Sequence, residues 1–355
     1  MTYRVIQWAT GGIGRAAIEG IVSHPELELV GVWVHSEKKV GMDVGEIVGT
    51  GPLGVTASND VDELLAMDAE CVMYGPVMAN KKELIRILES GKNVVTPLNW
   101  FYRGSRDWSD LEAACRKGGV TLHGTGINPG GITERFPLMI SALTREVTFV
   151  RAEEWSDICS YGAPQVVSEL MLFGKTPEDA QQSVMAKMMG DGFLQSIDMV
   201  ADTLGFDLDP EKRTTHEVSV SREPVDSPIG VIEPGLVTAQ RFTWEGLVRG
   251  EPVIRVTTNW FMGEGPFESG WSFGPEGERF EVEVKGDPSS LVTFHGWHPE
   301  TIEQGLERNP GIVATAVHGV SAIPAACRAD PGIKSYLDLP LVAGRAAPAL
   351  ARSAR

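Results

Sequence analysis

The stretch Val5-Ile6-Gln7-Trp8-Ala9-Thr10-Gly11-Gly12-Ile13-Gly14-Arg15-Ala16-Ala17-Ile18 constrains the fold more than any other. It reads as a short buried strand that turns through glycines straight into a helix. Gly11 lets backbone amides approach a pyrophosphate with no Cβ in the way, Gly14 lets the helix lie close to the strand, and the helix points its positive end at the phosphates. Ala9 stands where the G-x-G-x-x-G fingerprint has its first glycine, so the match is A-x-G-x-x-G between the required strand and helix. Ala9, Thr10, Gly11, Gly12, Ile13 and Gly14 are the expected dinucleotide contacts, against the plainer reading of an ordinary tight βα turn.

At 355 residues and 42% hydrophobic content, the chain can bury the cores of two domains. A formal charge of −17 leaves no basic field to recruit nucleic acid or an anionic membrane. An anionic cofactor is compatible with that charge, because a phosphate is recognised locally by aligned amides and one or two cations. No leader segment and no uninterrupted apolar run of membrane-spanning length is read, so a cytoplasmic location is expected. Cys71, Cys115, Cys159 and Cys327 are far apart with no C-x-x-C, which predicts inert thiols and neither a zinc site nor a disulfide framework.

Strands are expected at Leu27 to Val34, Ala69 to Tyr74, Asn93 to Thr96 and Val120 to His123, with helices such as Lys81 to Ser90 and Asp107 to Lys117 between them. This alternation predicts an α/β Rossmann unit, a doubly wound parallel sheet with ligands at the carboxyl ends of its strands. Tyr74, Gly75 and Pro76 stand at one such end. After Gly131 the character changes. A helix from Ile132 to Leu143, helices within Pro164 to Leu172 and Thr176 to Leu204, and long alternating strands up to Gly296 predict a second α+β domain with a mostly antiparallel sheet. The expected division is 1–131 for the nucleotide domain, 132–305 for the substrate and dimerisation domain, 306–345 for a helical segment returning to the first, and 346–355 for a mobile tail. Ile312 to Cys327 reads as helix interrupted by Pro324.

The second strand runs into Val34-His35-Ser36-Glu37-Lys38-Lys39. NAD enzymes place an acidic residue near here for the ribose 2′-hydroxyl, whereas Ser36 can donate to a 2′-phosphate and Lys38 or Lys39 can pair with one. NADP(H) is favoured, with His35 and Ser36 at the expected place. Glu37, one residue on, keeps NAD(H) open.

Four segments together resemble the dihydrodipicolinate-reductase-like oxidoreductases, and within them the 2,4-diaminopentanoate dehydrogenase and native amine dehydrogenase branch. Beside the glycine turn they are Val40-Gly41-Met42-Asp43-Val44-Gly45-Glu46-Ile47, Gly91-Lys92-Asn93-Val94-Val95-Thr96-Pro97, Gly124-Thr125-Gly126-Ile127-Asn128-Pro129-Gly130-Gly131, and Pro331-Gly332-Ile333 with Tyr336-Leu337-Asp338-Leu339-Pro340. The resemblance implies hydride transfer between a nicotinamide and a C=N or C=O carbon, by a homodimer acting on a small molecule. It implies that Thr96, Pro97 and Asn128 lie beside the cofactor. Two departures stand out. The paired histidines and lysine of the true reductases have no counterpart in Glu153 to Tyr161. The glutamate that the amine dehydrogenases carry after the strand matching Val94 to Thr96 is missing from Leu98-Asn99-Trp100-Phe101-Tyr102.

The expected catalytic residues are therefore Asn99, which can orient a carbonyl or amine but cannot take a proton near neutral pH, and Tyr161, which can donate to a forming alkoxide. Glu134 and His295 are further candidates, Glu134 having a competing role in the first turn of a helix. Trp100, Phe101, Trp155 and His295 are expected in the substrate pocket, with Trp260 a further aromatic candidate. His295 and His298, three apart on a strand, point to opposite faces and predict no metal site. An amine dehydrogenase-like oxidoreductase is the leading reading. An ammonia-independent ketone, aldehyde or cyclic imine reductase is the second, and a non-catalytic NADP(H)-binding regulator the third.

Overall fold

The computed structural model describes residues 2–265 and 267–351. In chain order the strands are β1 (Tyr3–Trp8), β2 (Leu27–Trp33), β3 (Ala57–Ser58), β4 (Cys71–Tyr74), β5 (Asn93–Thr96), β6 (Thr121–Gly124), β7 (Phe149–Asp157), β8 (Arg213–Val220), β9 (Val237–Val248), β10 (Glu251–Phe261), β11 (Arg279–Lys285), β12 (Ser290–Phe294) and β13 (Gly332–Lys334). The first sheet has the order β13-β6-β5-β4-β1-β2-β3, and every pairing in it is parallel. β4, β5 and β6 are buried at every residue, because helices cover both faces and an apolar run satisfies both. The strand order reverses beside β1, which puts the crevice for a ligand at the end of that strand, where the glycine turn lies.

The chain's last third contributes to this first unit. Helix Pro310–Arg328 packs on helix Gly12–Ser23, and β13 extends the sheet beyond β6. A Cβ on Gly319 would stand 2.7 Å from Met73 Cε, so glycine there lets the helix press onto β4. Two expectations change here. The helix runs unbroken through Pro324, which is fully packed, where an interruption was expected. Ile302–Arg328 is also long and apolar enough, by length and composition, to cross a membrane, against the expectation of no such run. Its apolar residues Ala316, Val320, Ala322, Ile323 and Ala326 pack in one core with β1, β2 and β4. Of the tail expected to be mobile, 352–355 lie outside the described residues.

The second sheet has the order β12-β11-β7-β10-β9-β8, antiparallel except where β7 runs parallel to β10. Helix Val184–Leu204 covers one face, with Phe193 stacked on Trp244 at 4.2 Å between ring centres. Within Thr176 to Leu204, where helices are expected, the helices are Pro177–Gln182 and Val184–Leu204, separated at the extended Ser183. Alternation along β7 sorts its side chains between the two faces of the sheet. Arg151, Glu153 and Trp155 face one side, where Arg151 pairs with Glu153, Glu281 and Glu283 and the Arg279 guanidinium lies 3.8 Å over the Trp155 ring. Val150, Ala152, Glu154 and Ser156 face the other, toward the core, so a carboxylate occupies an inward position.

Candidate active site

The turn after β1 is shaped for an anion. Helix Gly12–Ser23 starts from Gly11 with no side chain capping its first amides and no acidic residue in its first turn. A Cβ on Gly14 would stand 2.1 Å from the Ala9 carbonyl oxygen, whereas a Cβ on Gly11 would meet nothing within 4 Å. Ala9 itself sits at φ 76°, a left-handed conformation that favours glycine. Beneath it Gln7 Nε2 donates to the Ala9 carbonyl at 3.0 Å, and Gln7 Oε1 is buried without a partner among the described residues. Lys39 Nζ donates to Thr10 Oγ1 at 3.0 Å; burial, then the nearby Arg15 charge, lowers the Lys39 pKa. Among the described residues Arg15, Lys38 and Lys39 form no ion pair. Glu37 is turned to Asn59 Nδ2, which donates to it at 3.0 Å. Uncapped amides, missing Cβ atoms and cations without carboxylate partners fit the phosphate-bearing half of a nicotinamide dinucleotide.

The other expected cofactor residues spread around this turn. Gly75 lies against it, its Cβ position 3.7 Å from Ile13, and its amide donates to the Trp8 carbonyl at 3.1 Å. Pro76 follows, half-buried, before the exposed Val77. Pro97 packs at 3.7 Å from the Cβ position of Gly126, and buried Thr96 accepts the Leu98 amide at 3.3 Å. His35 is exposed with its ring 6.1 Å from Trp33, and Ser36 opens the short turn Glu37–Lys39. Tyr74 is a correction: its side chain is in the core, with the hydroxyl donating to Glu83 at 2.7 Å and accepting the Asn80 amide at 3.1 Å, so it does not reach the cleft.

A cavity of about 540 Å³ opens between the segments that follow β1, β4, β5 and β6 and the strands β7 and β10. Aromatic and aliphatic side chains form most of its wall, among them Met171, Phe193, Trp260, Phe280 and Trp297. Glu154 enters it from β7. Ser156 Oγ donates to Glu154 Oε1 at 2.7 Å, Trp260 Nε1 donates to the same oxygen at 3.1 Å, and Asn128 Nδ2 donates to Oε2. Burial pushes the Glu154 pKa up, and these three donors pull against that rise. Asn128 Oδ1 is buried with no partner among the described residues, an acceptor available to a ligand. Burial, then the neighbouring Glu154, raises the Tyr161 hydroxyl, which keeps its proton and can only donate or accept a hydrogen bond near neutral pH.

The structure brings Asn99, Trp100, Phe101, Asn128, Tyr161 and Trp260 to this cavity and keeps Trp155 and His295 out of it. Trp155 fails on strand parity, since it is adjacent to Glu154 and faces the opposite side of the sheet. His295 is exposed beyond β12. Asn99 is held in place: its Oδ1 accepts hydrogen bonds from the Trp100 amide at 2.7 Å and from Gln195 Nε2, while Gln195 Oε1 accepts one from the Phe101 amide at 2.9 Å. Glu134 lies fully buried outside the cavity, accepting from Ser196 Oγ at 2.6 Å. Sequence reasoning missed Glu154, Ser156, Gln195, Trp297 and His298. The signal available was a carboxylate on the inward parity of a strand. Among the described residues no group of three metal-ligating side chains comes together.

Residues 5–96 match the family described as dihydrodipicolinate reductase, N-terminus, and residues 132–261 match the 2,4-diaminopentanoate dehydrogenase C-terminal domain. An amine dehydrogenase from Streptomyces virginiae is 31% identical over 352 residues, covering 95% of this chain and 96% of that protein. A 2,4-diaminopentanoate dehydrogenase from Acetoanaerobium sticklandii is 24% identical over 354 residues, covering 95% and 93% of the two chains. The structure of an amine dehydrogenase from Mycobacterium smegmatis shares the fold at a TM-score of 0.78, with 20% identity over 97% of this chain and 98% of that one. With both halves matched and nearly its whole length shared with one relative, the chain belongs to the dihydrodipicolinate-reductase-like NAD(P)-dependent oxidoreductases, in the branch of the amine and 2,4-diaminopentanoate dehydrogenases.

Proposed function

We propose that the chain interconverts a carbonyl compound and its primary amine, with Glu154 as the acid and base of the reaction. The observation that carries this is the position of Glu154: it is a carboxylate in a mostly apolar cavity, facing the residues that follow β1, β5 and β6. It stands in for the glutamate missing after β5. The bound nicotinamide supplies or accepts the hydride at the substrate carbon. Glu154, its pKa raised by burial, accepts a proton from an incoming ammonium and returns it to the departing oxygen. Tyr161 and the Asn128 carbonyl oxygen orient the reacting nitrogen or oxygen, and Asn99 shapes the floor. Trp260, Phe280, Phe193 and Met171 exclude water from the substituents.

Lys81 is the sole cationic side chain on the cavity wall among the described residues, while Glu154 and Asp157 are both there. This charge balance supports an uncharged or amine-bearing substrate over a carboxylate-bearing one. Preference for NADP(H) is supported by the unpaired Arg15, Lys38 and Lys39 and by the turning of Glu37 toward Asn59. We extend the proposal to a cytoplasmic homodimer whose nucleotide unit is 1–131 with 306–345 and whose substrate unit is 132–305. Sedimentation velocity tests the dimer.

The deciding experiment follows NADPH and NADH absorbance with a panel of ketones and aldehydes, with and without ammonium, for the wild type and Glu154→Gln. Ammonium-dependent oxidation, lowered by roughly 10²–10⁴ in the variant, is expected. Oxidation without ammonium, or full turnover in Glu154→Gln, overturns the reading.

A further inference from the structure

Among the described residues Glu154 has three polar partners, and one of them can pass a proton on. The Asn128 amide and the Trp260 indole are donors that do not exchange their protons along a chain, whereas the Ser156 hydroxyl donates and accepts through one oxygen. Beyond Ser156 stands an imidazole. His298 Nε2 lies 2.9 Å from Ser156 Oγ, its ring is stacked on Phe280 at 5.1 Å, and its buried Nδ1 has no partner among the described residues. His298 sits in the segment after β12, and its next titratable neighbour, His295, is exposed on that segment. His298 also lines the cavity and is itself partly exposed, so this branch of the Glu154 hydrogen bonds leads toward the protein surface.

The geometry points to a proton wire, Glu154 Oε1 to Ser156 Oγ to His298 Nε2, that reloads the carboxyl group from the 295–298 segment while the cavity is occupied. It rests on the reading of Glu154 as acid and base. A proton arriving at Nδ1 allows Nε2–H to pass its proton to the Ser156 oxygen, and the serine's own proton moves to Glu154 Oε1. Only O–H and N–H bonds are exchanged: the proton that Glu154 gives to the departing oxygen is the one it took from ammonium, and the proton that enters by the wire is the further one that converts the product amine to its ammonium. Burial, and then the His295 charge, hold the His298 pKa near 4, so the ring is neutral at rest and holds the extra proton only in passing. The resting state is then His298 Nε2–H donating to Ser156, and Ser156 donating to Glu154. Ser156 and His298 are positioning residues in this scheme, since neither touches the reacting atoms.

The test combines activity with a measurement that needs no cofactor. In ¹⁵N-histidine NMR of the intact protein, His298 is expected as the Nε2–H tautomer, and Ser156→Ala is expected to remove that preference. An Nδ1–H tautomer, or no response to Ser156→Ala, overturns the wire. In turnover, His298→Ala is expected to lose about tenfold or more in kcat with a smaller change in KM, to be restored by added imidazole, and to be no worse when combined with Ser156→Ala. Turnover within about twofold of wild type, or a loss that imidazole does not restore, overturns it. The groups that face this chain from the surrounding elements are Tyr161, Asp157, Glu278 and His295, so pH profiles are compared between variants and not read from the wild type alone. Full turnover in Glu154→Gln overturns the acid–base reading itself; an inactive Glu154→Gln beside an unaffected His298→Ala overturns the wire alone.

Discussion

Asn128 joins the turn after β6 to Glu154 on β7: its Nδ2 donates to Oε2, and its own Oδ1 has no partner among the described residues. This bond stabilises the ionised carboxylate and so holds down a pKa that burial raises. Replacing Asn128 by Ala removes a charge-assisted hydrogen bond worth about 1.5–3 kcal/mol, or roughly one to two pH units. The limb of kcat/KM that needs ionised Glu154 is expected to move to higher pH by about one unit, measured against Glu154→Gln to identify the limb. An unmoved limb would show that the bond does not tune the carboxylate.

Much of this arrangement was legible in the residues. Periodicity and glycine placement carry β1, the turn and the parallel sheet, because a strand buried on both faces must be an apolar run and Gly14 must clear the Ala9 carbonyl. The carboxylate that lines the cavity was not legible by motif, since it comes from β7 and not from the segment after β5. It was within reach by parity: Trp155, expected in the pocket, and the adjacent Glu154 face opposite sides of the strand, and Glu154 is the one that lines the cavity. Pro324 misled for another reason. Its local preference breaks helices, but its surroundings among Ala316, Val320 and Ile323 fix the helix through packing on the first sheet.

Ala9 holds a left-handed φ of 76° that an L side chain adopts at a cost of about 1–2 kcal/mol. Glycine removes that strain and loses about 0.5–1 kcal/mol through its freer unfolded chain. Ala9→Gly is therefore expected to be neutral to stabilising, by up to about 1 kcal/mol in urea unfolding, with cofactor binding kept. A clear destabilisation would mean that the Ala9 methyl makes a packing contribution larger than the strain.

Glu134 is fully buried, and burial pushes its pKa from 4.5 to about 8, against which the Ser196 hydrogen bond acts. The folded state holds this proton where the unfolded chain has lost it, so stability falls as pH rises between those values. His123 and His298, both lowered to about 4 by burial, act oppositely, since their contribution is lost as pH falls from 6.5 to 4. The window from 6.5 to 8 therefore isolates the carboxyl groups, and Glu278, raised to about 7, has the same sign as Glu134. Glu134→Gln is expected to flatten the fall of stability across that window by about 2 kcal/mol relative to wild type. Unfolding curves that stay parallel from pH 6.5 to 8 would refute a protonated Glu134.

Lys39 reaches Thr10 on the glycine turn, with Arg15 close enough to depress its pKa and, among the described residues, no carboxylate paired to either. Two cations held together without a counter-ion repel each other, and an arriving phosphate relieves that repulsion while gaining charge-assisted hydrogen bonds. If the phosphate is the 2′-phosphate of NADP(H), Lys39→Ala should weaken NADPH binding by about 1.5–3 kcal/mol, roughly ten- to a hundredfold in Kd, and leave NADH nearly unchanged. If Lys39 meets the pyrophosphate common to both dinucleotides, both affinities fall together. Titration of NADPH and NADH by fluorescence in wild type and Lys39→Ala separates the two cases. Ser36→Asp gives the complementary reading: a carboxylate at the end of β2 repels a 2′-phosphate and accepts from a ribose hydroxyl, so it should lower NADPH affinity and leave NADH affinity equal or higher.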